Sequence, residues 1–202
     1  SFPVKKISRR AAGTHPSLTP GNTMSCGQYV SPPPTDIIKM EEPNMAFDIA
    51  KEHLNQFSLG GRVQVFDVSS ATVDLAAQAV GCEPAHIAKT LSFMVDGAPV
   101  LVVAAGDAKV DNRRYKDEFG TKAKMLTPQE AEDLVGHAVG GVCPFGVKPG
   151  VRVFLDQSLK RFEEVYPACG SANSAVRLSI PELELSSGCE KWVDVCKGWR
   201  EQ

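Results

Sequence analysis

Hydrophobic residues change their spacing along the chain, and the changes predict a succession of short helices and strands. From Met45 to about Leu59 they recur at helical spacing, and the pair Gly60-Gly61 is expected to end that helix. The segments Thr90 to Val95 and Pro99 to Ala105 read as strands joined by Asp96-Gly97, a hairpin turn signal. The second of these strands is apolar on both faces, which indicates a central position in a sheet.

The remaining pattern predicts further short elements with brief connections. Strands mostly follow one another through hairpin-like or short links, and helices do not alternate strictly with them. We therefore expect an α+β single domain with a mixed, mostly antiparallel sheet flanked by helices. The further predicted helices cover 72–80, 111–119, 127–135 and 181–185, the further strands cover 63–66, 124–126, 151–156, 164–167 and 175–180, and 192–196 reads as an amphipathic tail.

The first residues differ from the rest of the chain. Residues 1–44 carry recurrent prolines and glycines and a small basic cluster, and no period of two or 3.6 residues survives there. They fit a disordered tail, an organelle-targeting leader or an extraneous addition. Met45 opens the first well-patterned helix, as a natural start would. We expect residues 1–44 to be a tail outside the chemistry and residues 45–202 to form the functional domain.

Composition narrows the class of protein. The chain has 202 residues, 43% of them hydrophobic, and a formal net charge of -2, which gives no support for a large basic field against nucleic acid. Its six cysteines form no CxxC pair and no zinc-finger spacing, so we expect reduced thiols, a cytoplasmic location and no metal or other cofactor. No apolar run approaches the roughly 18 residues that span a bilayer, so no membrane association is expected.

A lysine stands inside the apolar run Ile87 to Phe93. Lys89 is flanked by residues that favour burial, and a lysine is rarely fully buried unless it is paired. Its stem can lie along apolar surface while the ammonium reaches water. Alternatively, the ammonium lines a pocket and meets an anion or a polarised carbonyl. The run alone favours the first interpretation.

A glycine-rich loop, Gly140 to Gly146, is the second landmark. Glycine permits positive φ and close approach of the backbone to a ligand, but the loop taken alone favours a tight structural turn between helix and strand. It matches neither a P-loop nor a dinucleotide fingerprint. Cys143 within it can be a nucleophile with His137 as its base, but no third orienting group is evident, so a buried thiol is favoured.

Two further sites carry alternatives. Asp156 ends a predicted strand, where it pairs with a lysine, binds a substrate amine or is an ordinary carboxylate at a strand end. The turn containing Gly170 and Ser171 either offers backbone and hydroxyl donors to a ligand or is a plain turn.

Several of these segments together resemble a known family. Ile87 to Leu91, Gly140 to Gly146, Val153 to Asp156 and the Gly170-Ser171 turn occur in an order and spacing similar to the YbaK/prolyl-tRNA synthetase editing-domain family. The resemblance covers roughly Phe47 to Leu185 and none of the N-terminal tail. It implies a mixed α+β fold and hydrolysis of mischarged tRNAs, typically alanyl- or cysteinyl-tRNA for proline.

The resemblance also implies roles for individual residues. Lys89 is then the characteristic pocket lysine, and Gly140 and Pro144 are the two ends of a GxxxP loop whose backbone holds the aminoacyl end. Lys89 and Gly140 are the expected catalytic residues. The expected substrate-binding residues are Thr90, Gly141, Val142, Cys143, Pro144, Phe145, Asp156, Gly170 and Ser171.

The residue types suit such a reaction. Backbone N–H groups of a glycine-rich loop can stabilise an oxyanion. The Lys89 ammonium suits the phosphate or ribose of the terminal adenosine, and with an ordinary pKa of ~10.4 a lysine is a poor general base. The family's use of the substrate's own 2′-hydroxyl fits the lack of a triad. Cys143 departs from relatives with a serine or another small residue there, and can tune the accepted amino acid if it faces the pocket.

Three functions follow from the resemblance. The first is a trans-acting aminoacyl-tRNA deacylase, because the sequence contains no synthetase catalytic domain. The second is a non-catalytic module that binds tRNA or a synthetase, and the third is hydrolysis of another small acyl ester. The expected partners are the acceptor end of aminoacyl-tRNA and prolyl-tRNA synthetase. A basic tail in residues 1–44 that adds tRNA affinity is the alternative to an inert one.

Overall fold

Residues 44–200 are described by the structure, a computed structural model, and within this range the chain forms five helices and ten strands. The expectations for residues 1–43 lie outside the described residues. The helices are α1 (Met45–Asn55), α2 (Val73–Val80), α3 (Asn112–Phe119), α4 (Pro128–Glu130) and α5 (Ile180–Ser187). The strands are β1 (Val63–Val65), β2 (Ile87–Val95), β3 (Ala98–Ala105), β4 (Lys109–Val110), β5 (Arg152–Asp156), β6 (Glu164–Pro167), β7 (Ser174–Val176), β8 (Leu178–Ser179), β9 (Lys191–Val193) and β10 (Cys196–Lys197).

A six-stranded sheet in the order β8-β6-β2-β3-β5-β9 is the centre of the fold. Its longest pairing is the antiparallel β2–β3 hairpin, whereas β6 joins β2, β5 joins β3 and β9 joins β5 in parallel. The predicted hairpin turn is confirmed, because Asp96 and Gly97 both have positive φ, at 50° and 81°. The mixed α+β architecture expected from the sequence is therefore confirmed.

The interior of the sheet explains why β3 is apolar throughout. Side chains from Val100 to Ala105 have no solvent exposure, as expected for a strand covered on both faces. On one face the ring of Phe93 packs 4.9 Å from that of Tyr115 in α3, measured between centroids. Phe119 links Tyr115 to Phe154 of β5 in the same cluster. Aromatic pairs at such distances contribute about 0.5–1.5 kcal/mol beyond area burial.

Three elements differ from the sequence-based predictions. Residues 124–126 form a single bridge, Phe93 to Met125, instead of a strand. The helix predicted over 127–135 is the single turn α4 followed by a π-helical turn, Ala131–Val135, which Gly136 ends at φ 97°. The predicted C-terminal tail supplies β9 and β10, because Val193 and Cys196 are buried against the sheet and β4. In the C-terminal segment, pairing with β5 and β4 overrides the local pattern.

The edge of β2 that faces away from β3 is paired only near its two ends. At its start, Ile87 and Ala88 pair with Tyr166 and Pro167 of β6. Near its end, the Ser92 carbonyl accepts a hydrogen bond from the Leu126 N–H at 3.0 Å. Between these points, no described residue is bridged to this edge of the strand. The sheet thus has a gap beside the middle of β2.

Asp156 has a structural position at the end of β5. Its side chain has no solvent exposure, and one carboxylate oxygen accepts the Ser158 N–H at 2.9 Å. The other oxygen accepts the Val195 N–H, also at 2.9 Å. The carboxylate therefore joins β5 to the C-terminal segment, and it does not line the cavity at the β2 gap. The structure gives no contact through which it would bind a substrate.

Replacing Asp156 with asparagine should therefore lower the free energy of unfolding. The amide has a single acceptor oxygen, so one of the two buried N–H groups loses its partner, at a cost of about 1–3 kcal/mol. Urea unfolding of the variant is the measurement. The control is Asp117→Asn on the exposed surface of α3, where the same loss of charge should change stability by less than about 0.5 kcal/mol. Equal stability of both variants would contradict the structural role.

Candidate active site

A cavity of about 330 Å³ occupies the gap beside β2. Its floor is β2 from Ile87 to Ser92, and consecutive strand residues can line it because the cavity lies at the strand edge and not on one face. The start of α2 forms one wall, the Val139–Val142 loop another, and β6 and β7 a third. The lining residues are Ser70, Ala71, Thr72, Val73, Ala76, Ile87, Ala88, Lys89, Thr90, Leu91, Ser92, Met125, Leu126, Val139, Gly140, Val142, Tyr166, Ala168, Ser174 and Ala175.

The cavity is mostly apolar, with a few hydroxyl groups. Ser70, Ser92 and Ser174 are buried, and their small side chains leave room between α2 and the sheet. Thr90 contributes a hydroxyl whose oxygen is buried and has no hydrogen-bond partner among the described residues. Lys89 and Tyr166 are the only lining residues with ionisable side chains, and the lining includes no carboxylate. Such a site suits a small ligand that has several polar atoms and an uncharged side chain.

The Lys89 ammonium is held by main-chain carbonyls. Its Nζ donates to the Gly106 carbonyl at 2.9 Å and to the Ala108 carbonyl, both in the turn after β3. Burial lowers the pKa of this ammonium, and Cys196, Asp107 and Asp156 oppose the decrease. Because both carbonyls accept hydrogen bonds from Nζ, the surroundings of Lys89 stabilise its protonated form. This geometry fits positioning and electrostatics better than general-base catalysis.

Two glycine loops pack backbone against backbone behind the cavity wall. A Cβ at Gly141 would lie 2.7 Å from the Ser171 nitrogen and 2.9 Å from the Gly170 carbonyl carbon. The Ser171 hydroxyl lies within the turn itself, 2.6 Å from the Ser174 hydroxyl oxygen. The packing of Gly141 against the Gly170-Ser171 turn fixes the neighbouring Gly140 at the mouth of the cavity beside Ala71. The φ of Gly140 is 93°. Only residues without Cβ permit the approach.

Cys143 lies behind the loop and not in the cavity. Its side chain has no solvent exposure, and burial raises the pKa of its thiol well above the ordinary range. Its N–H donates to His137 Nδ1 at 3.3 Å, so this histidine holds the loop backbone. A thiol of this kind is a poor nucleophile. The buried-thiol interpretation fits this geometry, and the loop presents Gly140 and Val142 to the cavity instead.

The structure thus separates the residues singled out from the sequence into two groups. Those that line the cavity are Lys89, Thr90, Gly140 and Val142. Those that lie outside its lining are Gly141, Cys143, Pro144, Phe145, Asp156, Gly170 and Ser171. Apart from Asp156, members of the second group belong to the two packed loops, so they shape the wall without being part of it.

Sequence reasoning missed several lining residues. Ser70 and Thr72 line the cavity, and Thr72 also caps α2 by accepting a hydrogen bond from the Leu75 N–H. Tyr166 and Ala168 reach the cavity because β6 separates from β2 at Pro167. The local sequence pattern does not indicate this separation. Met125 and Val139 are large, exposed apolar residues at the cavity mouth.

Across residues 44–200 no group of three or more His, Cys, Asp or Glu side chains is arranged to hold a metal ion. Within the same range no helix is both long and apolar enough to cross a membrane.

Comparison with known proteins agrees with this geometry. Residues 68–185 match the model of the aminoacyl-tRNA editing domain, and this range contains the whole cavity lining. The chain therefore belongs to the aminoacyl-tRNA editing-domain family, as the sequence resemblance indicated.

Individual relatives are of two kinds. The uncharacterized protein YwhH of Bacillus subtilis is 48% identical over 156 residues, covering 77% of this chain and 99% of that protein. The proline–tRNA ligase of Lactiplantibacillus plantarum is 28% identical over 61% of this chain but only 22% of its own length. A solved structure described as a candidate trans-editing enzyme for prolyl-tRNA synthetase superposes with a TM-score of 0.70 at 28% identity, covering 78% of this chain and 99% of that one.

Proposed function

We propose that this protein is a trans-acting aminoacyl-tRNA deacylase that hydrolyses the ester of a small, uncharged amino acid on a mischarged tRNA, with tRNA-Pro as the expected carrier. The observation that carries the proposal is the cavity at the β2 gap, which Lys89 on the floor and Gly140 on one wall both line. Family membership supports the reaction class. The near-complete coverage of a solved candidate trans-editing enzyme supports action in trans.

The cavity favours an aminoacyl group with a small and uncharged side chain. The lining is largely apolar and includes no carboxylate that could pair with a cationic side chain. Alanyl, cysteinyl and seryl groups fit these conditions. A pocket of this type discriminates one methylene by only ~1–3 kcal/mol, so the substrate range follows from shape and from the few polar contacts.

The parts of the cavity wall have distinct proposed roles in the reaction. The ester is already activated, so the site has to hold its carbonyl, stabilise the developing oxyanion and admit a water molecule. The backbone of the Gly140 loop is the proposed oxyanion contact. Lys89 organises the turn at Gly106 and supplies positive charge near the acceptor end. The substrate's own 2′-hydroxyl is the proposed internal group that assists water attack.

The proposed partners follow from the substrate. The acceptor end of aminoacyl-tRNA enters the cavity mouth, where Met125 and Val139 are exposed. Prolyl-tRNA synthetase is a further proposed partner, because relatives of this chain occur within proline–tRNA ligases. Such substrates place the protein in the cytoplasm.

The test is deacylation of alanyl-, cysteinyl- and seryl-tRNA-Pro by the purified protein, with prolyl-tRNA-Pro as the correctly charged control. We expect at least one mischarged species to be cleaved faster than its spontaneous hydrolysis and the prolyl species to be spared. If the folded protein cleaves none of them yet binds tRNA, the non-catalytic module replaces this proposal. Cleavage of free aminoacyl esters as efficiently as aminoacyl-tRNA would indicate a different small-ester hydrolase.

A further inference from the structure

The hydrogen bonds near the end of β2 fix the direction of its backbone groups. The Met94 N–H donates to the Lys124 carbonyl at 2.9 Å, and the Ser92 carbonyl accepts from the Leu126 N–H at 3.0 Å. Both bonds lie on the edge of β2 opposite β3. Because N–H and C=O groups alternate between the two edges of a strand with a period of two, Thr90 directs both of its groups to this same edge. The continuous register between β2 and β3 excludes a bulge that would reverse them.

The backbone groups of Thr90 therefore face the cavity without a partner. On one side, β6 parts from β2 after the Ala88–Pro167 pair. On the other side, continued pairing beyond Leu126 would require an N–H from residue 128, and Pro128 has none. Within residues 44–200, no backbone or side-chain group bonds the Thr90 N–H or C=O on this edge. Thr90 is half-buried, and its two backbone groups lie on an unpaired strand edge that opens into the cavity, so they are available to hydrogen-bond a ligand.

A second orphan group lies at the same residue. The Thr90 hydroxyl oxygen is buried and has no partner among the described residues. Thr90 thus brings three unused polar groups to one point of a mostly apolar cavity. This arrangement is costly unless a ligand satisfies it.

The ligand that fits is one amino-acid residue. In an antiparallel sheet, a residue in a hydrogen-bonded pair gives its N–H to the partner's C=O and receives the partner's N–H on its own C=O. An aminoacyl ester carries both groups, an amine on the α-carbon and an ester carbonyl beside it.

We propose that the edge of β2 at Thr90 binds the aminoacyl group of the substrate as one added strand residue. The Thr90 carbonyl accepts a hydrogen bond from the α-amino group, and the Thr90 N–H donates to the ester carbonyl oxygen. This inference rests on the proposed deacylase function and specifies how its site recognises the substrate. It makes the α-amino group, which every aminoacyl-tRNA shares, a recognition element in a cavity whose lining has no carboxylate to pair with it.

The consequence is selectivity against acyl groups that lack the amine. A methyl group in place of the α-ammonium keeps the volume and removes the donor to Thr90. For alanyl-, cysteinyl- and seryl-tRNA the matched analogues are isobutyryl-, 3-mercapto-2-methylpropionyl- and 3-hydroxy-2-methylpropionyl-tRNA. Loss of a hydrogen bond to a charged group is expected to lower the enzymatic acceleration by about 10- to 100-fold.

The experiment measures hydrolysis of all three pairs by the wild-type protein. Each enzymatic rate is divided by the spontaneous rate of the same ester, because the ammonium group itself activates the ester. The proposal is supported if every cleaved aminoacyl ester is accelerated at least about 10-fold more than its methyl analogue. Equal accelerations within a pair would overturn the inference and leave the deacylase function standing. Absence of acceleration for all six esters would refute the deacylase function, and this inference with it.

A backbone substitution gives a second measurement. Replacing the peptide bond between Lys89 and Thr90 with an ester, through an α-hydroxy acid at position 90, deletes the Thr90 N–H and keeps every side chain. Because no described residue uses this N–H, the melting temperature should stay within a few degrees of the wild type. We expect about a 10-fold lower kcat/KM for the preferred aminoacyl-tRNA. Unchanged kcat/KM would contradict the proposed contact to the ester carbonyl.

Discussion

Replacing Lys89 with alanine is expected to lower kcat/KM for the preferred mischarged tRNA by about 10²- to 10³-fold, the usual cost of removing one preorganised charged or polar group from an active site. The reason lies in what the ammonium holds. It binds the carbonyls of Gly106 and Ala108, and the turn that contains them lies directly beneath the start of α2, since a Cβ at Gly106 would lie 2.7 Å from Val73 Cγ1. Loss of Lys89 therefore removes a positive charge and also loosens a wall of the cavity.

The same substitution should affect stability. Without the ammonium, the Gly106 and Ala108 carbonyls lose a shared donor inside the protein, at a cost of about 1–3 kcal/mol in the free energy of unfolding. Activity is therefore measured at a temperature where urea unfolding shows both proteins fully folded. The chain provides a close control in Lys148, whose Nζ also donates to two main-chain carbonyls, those of Glu132 and Asp133, at 3.2 and 2.9 Å.

Lys148 is exposed and does not line the cavity. The variant Lys148→Ala should retain kcat/KM within about threefold, with less than about 1 kcal/mol of lost stability. Equal activity losses in Lys89→Ala and Lys148→Ala would show that general loosening of the fold, and not the position of Lys89, causes the defect. Full activity in folded Lys89→Ala would remove this residue from the proposed site.

Replacing Gly140 with alanine is the second large expected effect. Gly140 has φ 93°, a conformation that L-residues rarely adopt, and a Cβ there would lie 2.9 Å from the Cβ of Ala71. The strain of positive φ costs of order 1–3 kcal/mol, and the collision displaces either the loop or the start of α2. Because both border the cavity, we expect kcat/KM to decrease by about 10²-fold, as for a reacting group misplaced by about 1 Å.

Gly150 separates the effect of strain from the effect of the collision. Its φ is 90°, almost the same as that of Gly140, but a Cβ at this position meets nothing within 4 Å. Gly150→Ala should therefore lose a similar amount of stability to backbone strain while kcat/KM stays within about threefold. Steady-state kinetics and urea unfolding of the two variants provide the comparison. If both alanine variants remain fully active, the Gly140 loop is a structural turn and not a wall of the active site.

From sequence, the Lys89 ammonium was expected either to reach water or to line a pocket and meet an anion or a polarised carbonyl, and in the structure it donates to two main-chain carbonyls of the protein itself. The apolar run around Lys89 indicated that the neighbours of this residue are buried. It could not report which acceptors the ammonium meets, because Gly106 and Ala108 follow the next strand and approach only through the β2–β3 hairpin. Sequence spacing similarly located the Gly140 loop. It gave no information that this loop packs against Gly170 and Ser171, some thirty residues later.

For Asp156, the structure favours the interpretation that does not involve a substrate. Its position at a strand end was correctly anticipated, yet the same pattern is compatible with a substrate contact and with a core hydrogen-bonding role. Two backbone N–H groups, from Ser158 and from Val195, decide in favour of the second. The Val195 contact comes from a segment almost forty residues away, so local reasoning had no access to it.

The sequence by itself determined the secondary structure in outline, the mixed α+β class and the family, because hydrophobic periodicity, turn residues and ordered motifs are local properties of the chain. The tertiary structure alone decided where the cavity lies. That cavity exists because β6 leaves β2 after Pro167 and because Pro128 cannot extend the pairing from the other side. Whether a strand edge is paired depends on hydrogen bonds between segments that are distant in the sequence, and no short stretch of sequence specifies both partners.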